Sequence, residues 1–482
     1  MTQNASQQPR RRGLSLGVLV TMQLMVVLDG TVVTVALPSI QDELGFSPSG
    51  LAWVVNSYLI AFAGLLFLSG RLGDLIGGKK VFLAGLITFT AASVLCGVAV
   101  DPAMLVVGRF AQGVGGALSS AVILGMIAGL YPRPGEQARA MGIYSFVSAG
   151  GGAIGLIAGG VITRTLGWEG AFLVNVPIGV VTLVLAVRVL ADSPGLGFRR
   201  GADLLGAVLV TAGLSLGVYS IVQLAEPTSS TGTTLGCAVV AVALVAAFLV
   251  RQAKTATPLL PLRIFRSRQL SAANVIVVLV FAAGFGFQFL NALYLQRVLG
   301  FDSLQTGLAF VPAPVTLGTV SLFFAARLTD RFGARKVLLT GLFALGSGLA
   351  LLSRAPVGGD YFADVLPTLF LMGAGMGLAI PAVITMAMSG ADPRDAGLAS
   401  GLNNTAQQAG AAVGLATLAT LAAGHTDTRL QAGADALSAL RDGYSMSFLL
   451  SAGFVFAGLV IAFVALRPAP KPEPEPVVEA AS

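Results

Sequence analysis

The sequence predicts an all-α membrane protein with fourteen transmembrane helices. Apolar runs long enough to cross a bilayer recur along most of the chain. Only 11% of residues are charged while 55% are hydrophobic, and the basic residues gather in alternate loops. An ordinary soluble domain carries about 25% charged residues, and a soluble chain of 482 residues could not cover this much apolar surface. A stretch of about 18 or more apolar residues marks a membrane span.

The spans fall in order at 13–37, 50–69, 81–99, 104–130, 140–162, 168–191, 204–224, 233–250, 270–295, 304–326, 337–353, 365–388, 397–423 and 446–466. The first run is about 25 residues, longer than the 7–15 of a signal-peptide core, and is expected to remain as a span. The 61 glycines suit helices that approach closely in lipid. The flanking segments 1–12 and 467–482 read as cytoplasmic tails, the second Pro/Glu-rich and disordered.

Orientation follows from the short loops. With Arg10, Arg11 and Arg12 in the cytoplasm, 23 of the 29 Lys and Arg residues lie in inner loops and tails. Five lie outside (Arg164, Arg297, Arg354, Arg429 and Arg441), and Arg109 lies within a span. That bias is expected to set both termini in the cytoplasm of a multi-pass protein of the cell (inner) membrane. The net charge of +7 is then mostly orientation charge and no sign of nucleic-acid binding; its largest cytoplasmic stretch, Arg251 to Arg268, could also touch anionic lipid headgroups.

Two charges break the apolar pattern: Asp29 in the first span and Arg109 in the fourth. Each would cost about 2.5–3.5 kcal/mol at the bilayer centre, so such residues face a bundle interior or a water-filled path. Burial raises the proton affinity of a carboxylate and a neighbouring cation lowers it. A pair that meets in one conformation and parts in another would couple protonation to conformation. The alternative for Arg109 is hydrogen bonding to carbonyls in a Gly-rich bundle.

Polar amides mark a candidate cavity. Asn404 and Gln408, like Asn403 and Gln407, are four apart on span 13, and Gln288 and Asn291 are three apart on span 9. Gln112 lies one turn beyond Arg109. These amides read equally as interhelical glue or as a cavity wall. Phe281, Phe285, Phe287 and Phe289 could add aromatic contact, although such stripes are more often packing. His425, the one histidine, is expected in an outer loop. No Ser/His/Asp, Cys/His or carboxylate cluster points to an enzyme, a metal or a cofactor. GDLIGGKK (73–80) falls one residue short of a phosphate loop and lacks its Ser or Thr.

The chain also repeats itself. GRLGDLIGGKKV (70–81) aligns with ARLTDRFGARKV (326–337), matching Asp74, Gly77, Lys79 and Lys80 to Asp330, Gly333, Arg335 and Lys336. Eight spans separate the copies, so the repeat is parallel, and two of the eight are expected to be an inserted hairpin. The halves are then 13–191 and 270–466, with the hairpin at 204–250.

These features resemble the major facilitator superfamily and its fourteen-span drug:proton antiporter branch. The resemblance rests on the Gly70–Lys80 loop, on GRFAQGVGGA (108–117), on LDGTVVTVALP (28–38), on LGWEGAFLVNVPIG (166–179) and on GLASGLNNTAQQAG (397–410). Gly151, Gly155, Gly159 and Gly160 match the antiporter motif of span 5, but Leu156 stands where the motif has proline, which leaves the transport direction open. The resemblance implies the major facilitator fold, two six-helix halves rocking around a central site.

On that basis Asp29 and Arg109 would couple protons, and Gln112, Gln288, Asn291, Asn404 and Gln408 would line the cavity. Gly70, Asp74, Gly77, Lys79, Lys80, Asp330, Gly333 and Arg335 would gate its cytoplasmic side. The expected partners are a small amphipathic substrate, protons and lipids, with the chain working as a monomer. A lipid or lipid-conjugate translocase is the alternative, and a non-transporting scaffold would not need the intramembrane charges.

Overall fold

The computed structural model describes residues 7–192, 195, 197, 203–224, 230–255, 258–389 and 396–466, so the tail at 467–482 lies outside the described residues. The first half consists of α1 (Gln7–Leu44), α2 (Trp53–Ile76), α3 (Gly78–Gly97), α4 (Pro102–Leu130), α5 (Pro134–Leu173) and α6 (Asn175–Val189). Next come α7 (Leu204–Gln223) and α8 (Thr231–Lys254). The second half holds α9 (Arg268–Leu293), α10 (Ser303–Phe310), α11 (Pro312–Thr319), α12 (Ala326–Phe332), α13 (Ala334–Leu352), α14 (Leu366–Ser389), α15 (Ala396–Gln431) and α16 (Ala436–Ala465).

Thirteen stretches of the described residues are long and apolar enough to cross a membrane, and one of them, Gly135–Val189, has 55 residues. At 1.5 Å per residue that stretch would reach about 80 Å, more than twice a hydrocarbon core of about 30 Å. It breaks at Gly167, whose φ of +78° no helix tolerates, and so holds two spans. The total is fourteen, with α10 to α12 forming a single one.

Loop acids start several helices, because a side-chain oxygen can accept from the free N–H groups of a first turn. Asp101 accepts from Met104 N (2.9 Å) at α4, and Asp435 accepts from Ser438 N (3.0 Å) at α16. Asp302 and Gln305 form a reciprocal capping box at α10.

The repeat is plain in the backbone. Gly77 ends α2 with φ +97° and Gly333 ends α12 with φ +85°. Each donates its N–H to the carbonyl four residues back, Gly73 (3.0 Å) and Thr329 (2.8 Å) respectively. An L side chain is strained at such a φ, so the aligned glycines are turn-makers.

α7 and α8 pair as a hairpin, with Gly213 of α7 against Val245 of α8. Few α8 residues are buried (Thr234, Ala241, Phe248 and Gln252), and Val239, Val240 and Val242 face outward. Such a surface fits lipid.

α1 begins at Gln7, ahead of its apolar run. One expectation is corrected. α15 runs on to Gln431, which puts His425 on a helix and not in a loop. Backbone hydrogen bonding need not stop where the apolar run does.

Candidate functional site

The two halves meet tightly at one end. Arg297, in the π-turn Tyr294–Val298 after α9, forms an ion pair with Asp42 of α1, and Gln296 donates to Val35 O at 3.0 Å. Arg164 pairs with Asp302 at 3.4 Å. Glycines allow close approach here: a Cβ on Gly160 of α5 would stand 2.7 Å from Ser303 O and 2.8 Å from Leu304 Cα, and one on Gly307 would strike Leu156 O. The motif glycines Gly151, Gly155 and Gly159 seat α5 on α1, against Leu24, Thr31 and Val32.

At the other end the halves enclose a cavity of about 930 Å³ that reaches the surface beside Gly70, Arg71 and Asp74. α1 lines it with Gln23, Val26, Val27, Gly30, Thr31 and Thr34, the spacing of one helix face. α2 adds Tyr58, Phe62 and Phe67; α9 adds Phe285, Gln288 and Phe289; α15 adds Asn404, Gln407 and Gln408. A second cavity of about 520 Å³ lies toward the closed end, lined by Asp42, Arg297 and Tyr444 among others. Phe289, 2% exposed, borders both cavities. Beside it Gln288 Nε2 donates to Thr34 Oγ1 across the halves at 3.3 Å.

Asp29 lies on a different face of α1 and does not line the cavity. It is 1% exposed and forms an ion pair with Arg109 Nη1. Its Oδ1 accepts from Gln112 Nε2 (3.0 Å) and Asn175 Nδ2 (3.2 Å). Arg109 in turn donates Nε to Val54 O (2.8 Å) and Nη1 to Gln112 Oε1 (2.8 Å), while Gln112 Nε2 also donates to Ser93 Oγ (2.8 Å). The carboxylate thus ties α1 to α4 and α6, and Arg109 and Gln112 extend the network to α2 and α3. A buried ion pair repays its desolvation only when its remaining donors and acceptors are satisfied, and this one is well supplied.

Tyr58 stands between the pair and the cavity. The Arg109 guanidinium lies 4.6 Å from the Tyr58 ring centre and 5.8 Å from that of Phe172, within cation–π range. The motif glycines of α4 make room for it: a Cβ on Gly116 would fall 2.9 Å from the Tyr58 hydroxyl. Arg109 itself reaches the cavity wall.

Several expected site residues therefore come together, and two do not. Gln288, Asn404 and Gln408 line the cavity. Gln112 does not; its amide is consumed by the charge network behind Arg109. Asn291 is fully buried, borders neither large cavity and leaves both amide atoms without a hydrogen-bond partner. Three residues past Gln288 is about 60° around the helix and about one turn deeper, which carries Asn291 off the cavity face. Of the aromatic stripe, Phe285 and Phe289 face the cavity, Phe281 borders only a small gap, and Phe287 packs against Phe310 and Phe448.

The loop residues divide similarly. Asp74 lines the cavity mouth and approaches Arg71 at 3.9 Å, while Lys79 pairs with Asp192 at 3.1 Å. Lys80 and Asp330 are exposed, and Arg335 binds the α16 end through Phe463 O and its ring (5.3 Å). The sequence reading passed over Asn175 and Tyr58. The signal for Asn175 was a lone amide within an apolar run.

Two helical halves enclosing a central cavity define a secondary-transporter class of membrane protein. The chain matches the Major Facilitator Superfamily over residues 19–415 and belongs to that family. It is 35% identical over 462 residues to the puromycin resistance protein pur8 of Streptomyces alboniger, covering 94% of this chain and 91% of that one. It is 39% identical over 409 residues to the cephamycin export protein CmcT of Amycolatopsis lactamdurans, covering 83% of each. Its fold matches a bacterial homolog of the human lysosomal transporter Spinster, solved inward-facing and unoccupied. The TM-score is 0.69 at 16% identity, covering 94% of this chain and 97% of that chain.

Proposed function

We propose that this protein exports amphipathic small molecules, antibiotics among them, in exchange for protons. The observation that carries the reading is the separation of its two polar sites. A cavity of about 930 Å³ holds amides and aromatic faces, a volume suited to a drug-sized ligand. The buried Asp29 carboxylate sits behind the cavity wall, bound to Arg109. The names of the antibiotic resistance and export relatives support the same class of substrate.

In this reading the 70–81 end is cytoplasmic and the conformation is inward-open. Substrate enters beside Asp74 and lies against Tyr58, Phe289, Gln288 and Asn404. Protonation of Asp29 frees Arg109, loosens the bonds to Val54, Gln112 and Asn175, and lets the first half rearrange. The closed end then opens where Arg297 holds Asp42 and Gly160 meets Ser303. Phe289 is the barrier between the two vestibules, and as the loops close Asp74 exchanges its Arg71 contact and Asp330 takes up a basic partner. The chain acts as a monomer, each half moving as a body with the hairpin as a lipid-facing insert.

A panel of antibiotics and cationic dyes tested in inside-out vesicles with an acid lumen examines this reading. At least one amphipathic compound should accumulate in the lumen and release protons as it does so. Accumulation of none, or accumulation indifferent to the proton gradient, would overturn it.

A further inference from the structure

The segment joining the hairpin to the second half enters the cavity. Pro258 and Leu259, between α8 and α9, line it beside Phe67 and Asp74. Leu259 is 7% exposed and packs with Leu68 of α2 and Ala207 of α7, against Leu65, Phe67 and Leu72. A loop does not normally occupy such a position in an apolar mouth, and a set of polar bonds holds it there.

Asp203, the cap of α7, has a fully buried side chain. Its Oδ1 accepts from Gly206 N (2.8 Å) and from Arg251 Nε (2.6 Å), and its Oδ2 accepts from Gln252 Nε2 (2.7 Å). Gln252 then accepts from Leu260 N through Oε1 at 3.0 Å. The path runs from the start of α7, across the end of α8, to the backbone beside Leu259. Gly206 leaves space for it: a Cβ there would lie 2.7 Å from both Asp203 Cγ and Gln252 Nε2. Burial raises the Asp203 carboxyl, but the bonds from Arg251, Gly206 and Gln252 outweigh it and hold the group below the usual carboxylate range. The clasp is therefore charged and closed at neutral pH.

We propose that Asp203 is a positioning residue which, through Gln252, holds Leu259 as the lip of the cavity, and that this lip limits the size of what enters. The inserted hairpin is then a specificity device that sets the cavity mouth. The size-limiting half of this proposal rests on the exporter reading; the clasp itself does not.

The test has two arms. Leu259→Cys is placed in a Cys237→Ser background, leaving buried Cys96, and labelled with a bulky maleimide on purified protein. Adding Asp203→Asn or Gln252→Ala should speed labelling at least tenfold while the protein stays monodisperse. Equal rates would overturn the clasp. Arg251, which is partly exposed, can turn to solvent in Asp203→Asn, so no buried charge is stranded.

In cells, efflux of alkyltriphenylphosphonium cations from methyl to decyl is then compared. Asp203→Asn should favour the longer homologues and Leu259→Trp the shorter, shifting the long-to-short ratio at least fivefold. A uniform change across the series would overturn size selection. Absence of efflux by the unmodified chain would count against the exporter reading for this class of cation, while the labelling arm still decides the clasp.

Discussion

Arg109 presents its guanidinium to the ring of Tyr58 at 4.6 Å, and both residues border the cavity, so the buried charge network reaches its wall. Asp29 has no such exposure. A cationic substrate against Tyr58 would feel the positive end of the pair first, so substrate and proton need not occupy one place.

The network is demanding, so breaking it from one side should be costly. Asp29→Asn leaves a buried guanidinium without its counter-charge, worth about 3–5 kcal/mol. Thermal unfolding in detergent should show that loss for Asp29→Asn and a smaller one for Asp29→Asn with Arg109→Gln. Additive losses would mean that the two side chains do not act as a pair.

Arg109→Lys tests geometry at constant charge. Lysine has no fork to serve Val54 O, Asp29 and Gln112 together, and a lost buried hydrogen bond costs about 1–3 kcal/mol. Transport should fall at least tenfold with the protein still folded. Retained transport would mean that charge alone suffices at this position.

Phe289 borders both cavities, so Phe289→Ala should join them. Passive dye leakage through reconstituted vesicles, measured without a proton gradient, should rise at least tenfold. Vesicles as tight as those with the unmodified chain would show that the barrier lies elsewhere.

A side chain at Gly160 meets backbone atoms of Ser303 and Leu304, which cannot rotate away. Gly160→Val should therefore part the halves at their closed end. Spin labels at Thr165 and Asp360, read by pulsed electron resonance, should move apart. An unchanged distance would mean that α5 and α10 yield locally.

The sign of the Asp203 shift fixes a pH dependence. A carboxyl held low in the fold contributes stability above its unfolded value, about 3.9, and loses it as pH falls through the folded value. The stability gap between the unmodified chain and Asp203→Asn should stay constant from about pH 8 to about pH 5 and narrow only below about pH 4. Narrowing near neutral pH would contradict the charged clasp.

Much of this was legible in the sequence, for identifiable reasons. Asp29 and Arg109 stood out because a charge is costly in an apolar run, and Gly77 and Gly333 because the two aligned loops repeat them; the structure adds the reason, a positive φ at each. Asn291 and Gln112 were recognisable as polar residues in lipid, but which way each faces depends on how its helix is rotated in the bundle. Asn175 was hidden because single amides usually serve as interhelical glue. Asp203 was hidden more deeply: a loop carboxylate reads as solvated until packing buries it.

The central claim is that Asp29 carries the coupling proton while the cavity alone carries the substrate. Its most direct test is transport of one exported antibiotic by Asp29→Asn in inside-out vesicles with an acid lumen. The variant should still bind the compound and bring it to equal concentration on both sides, but should neither accumulate it nor release protons. Accumulation equal to that of the unmodified chain would contradict the account.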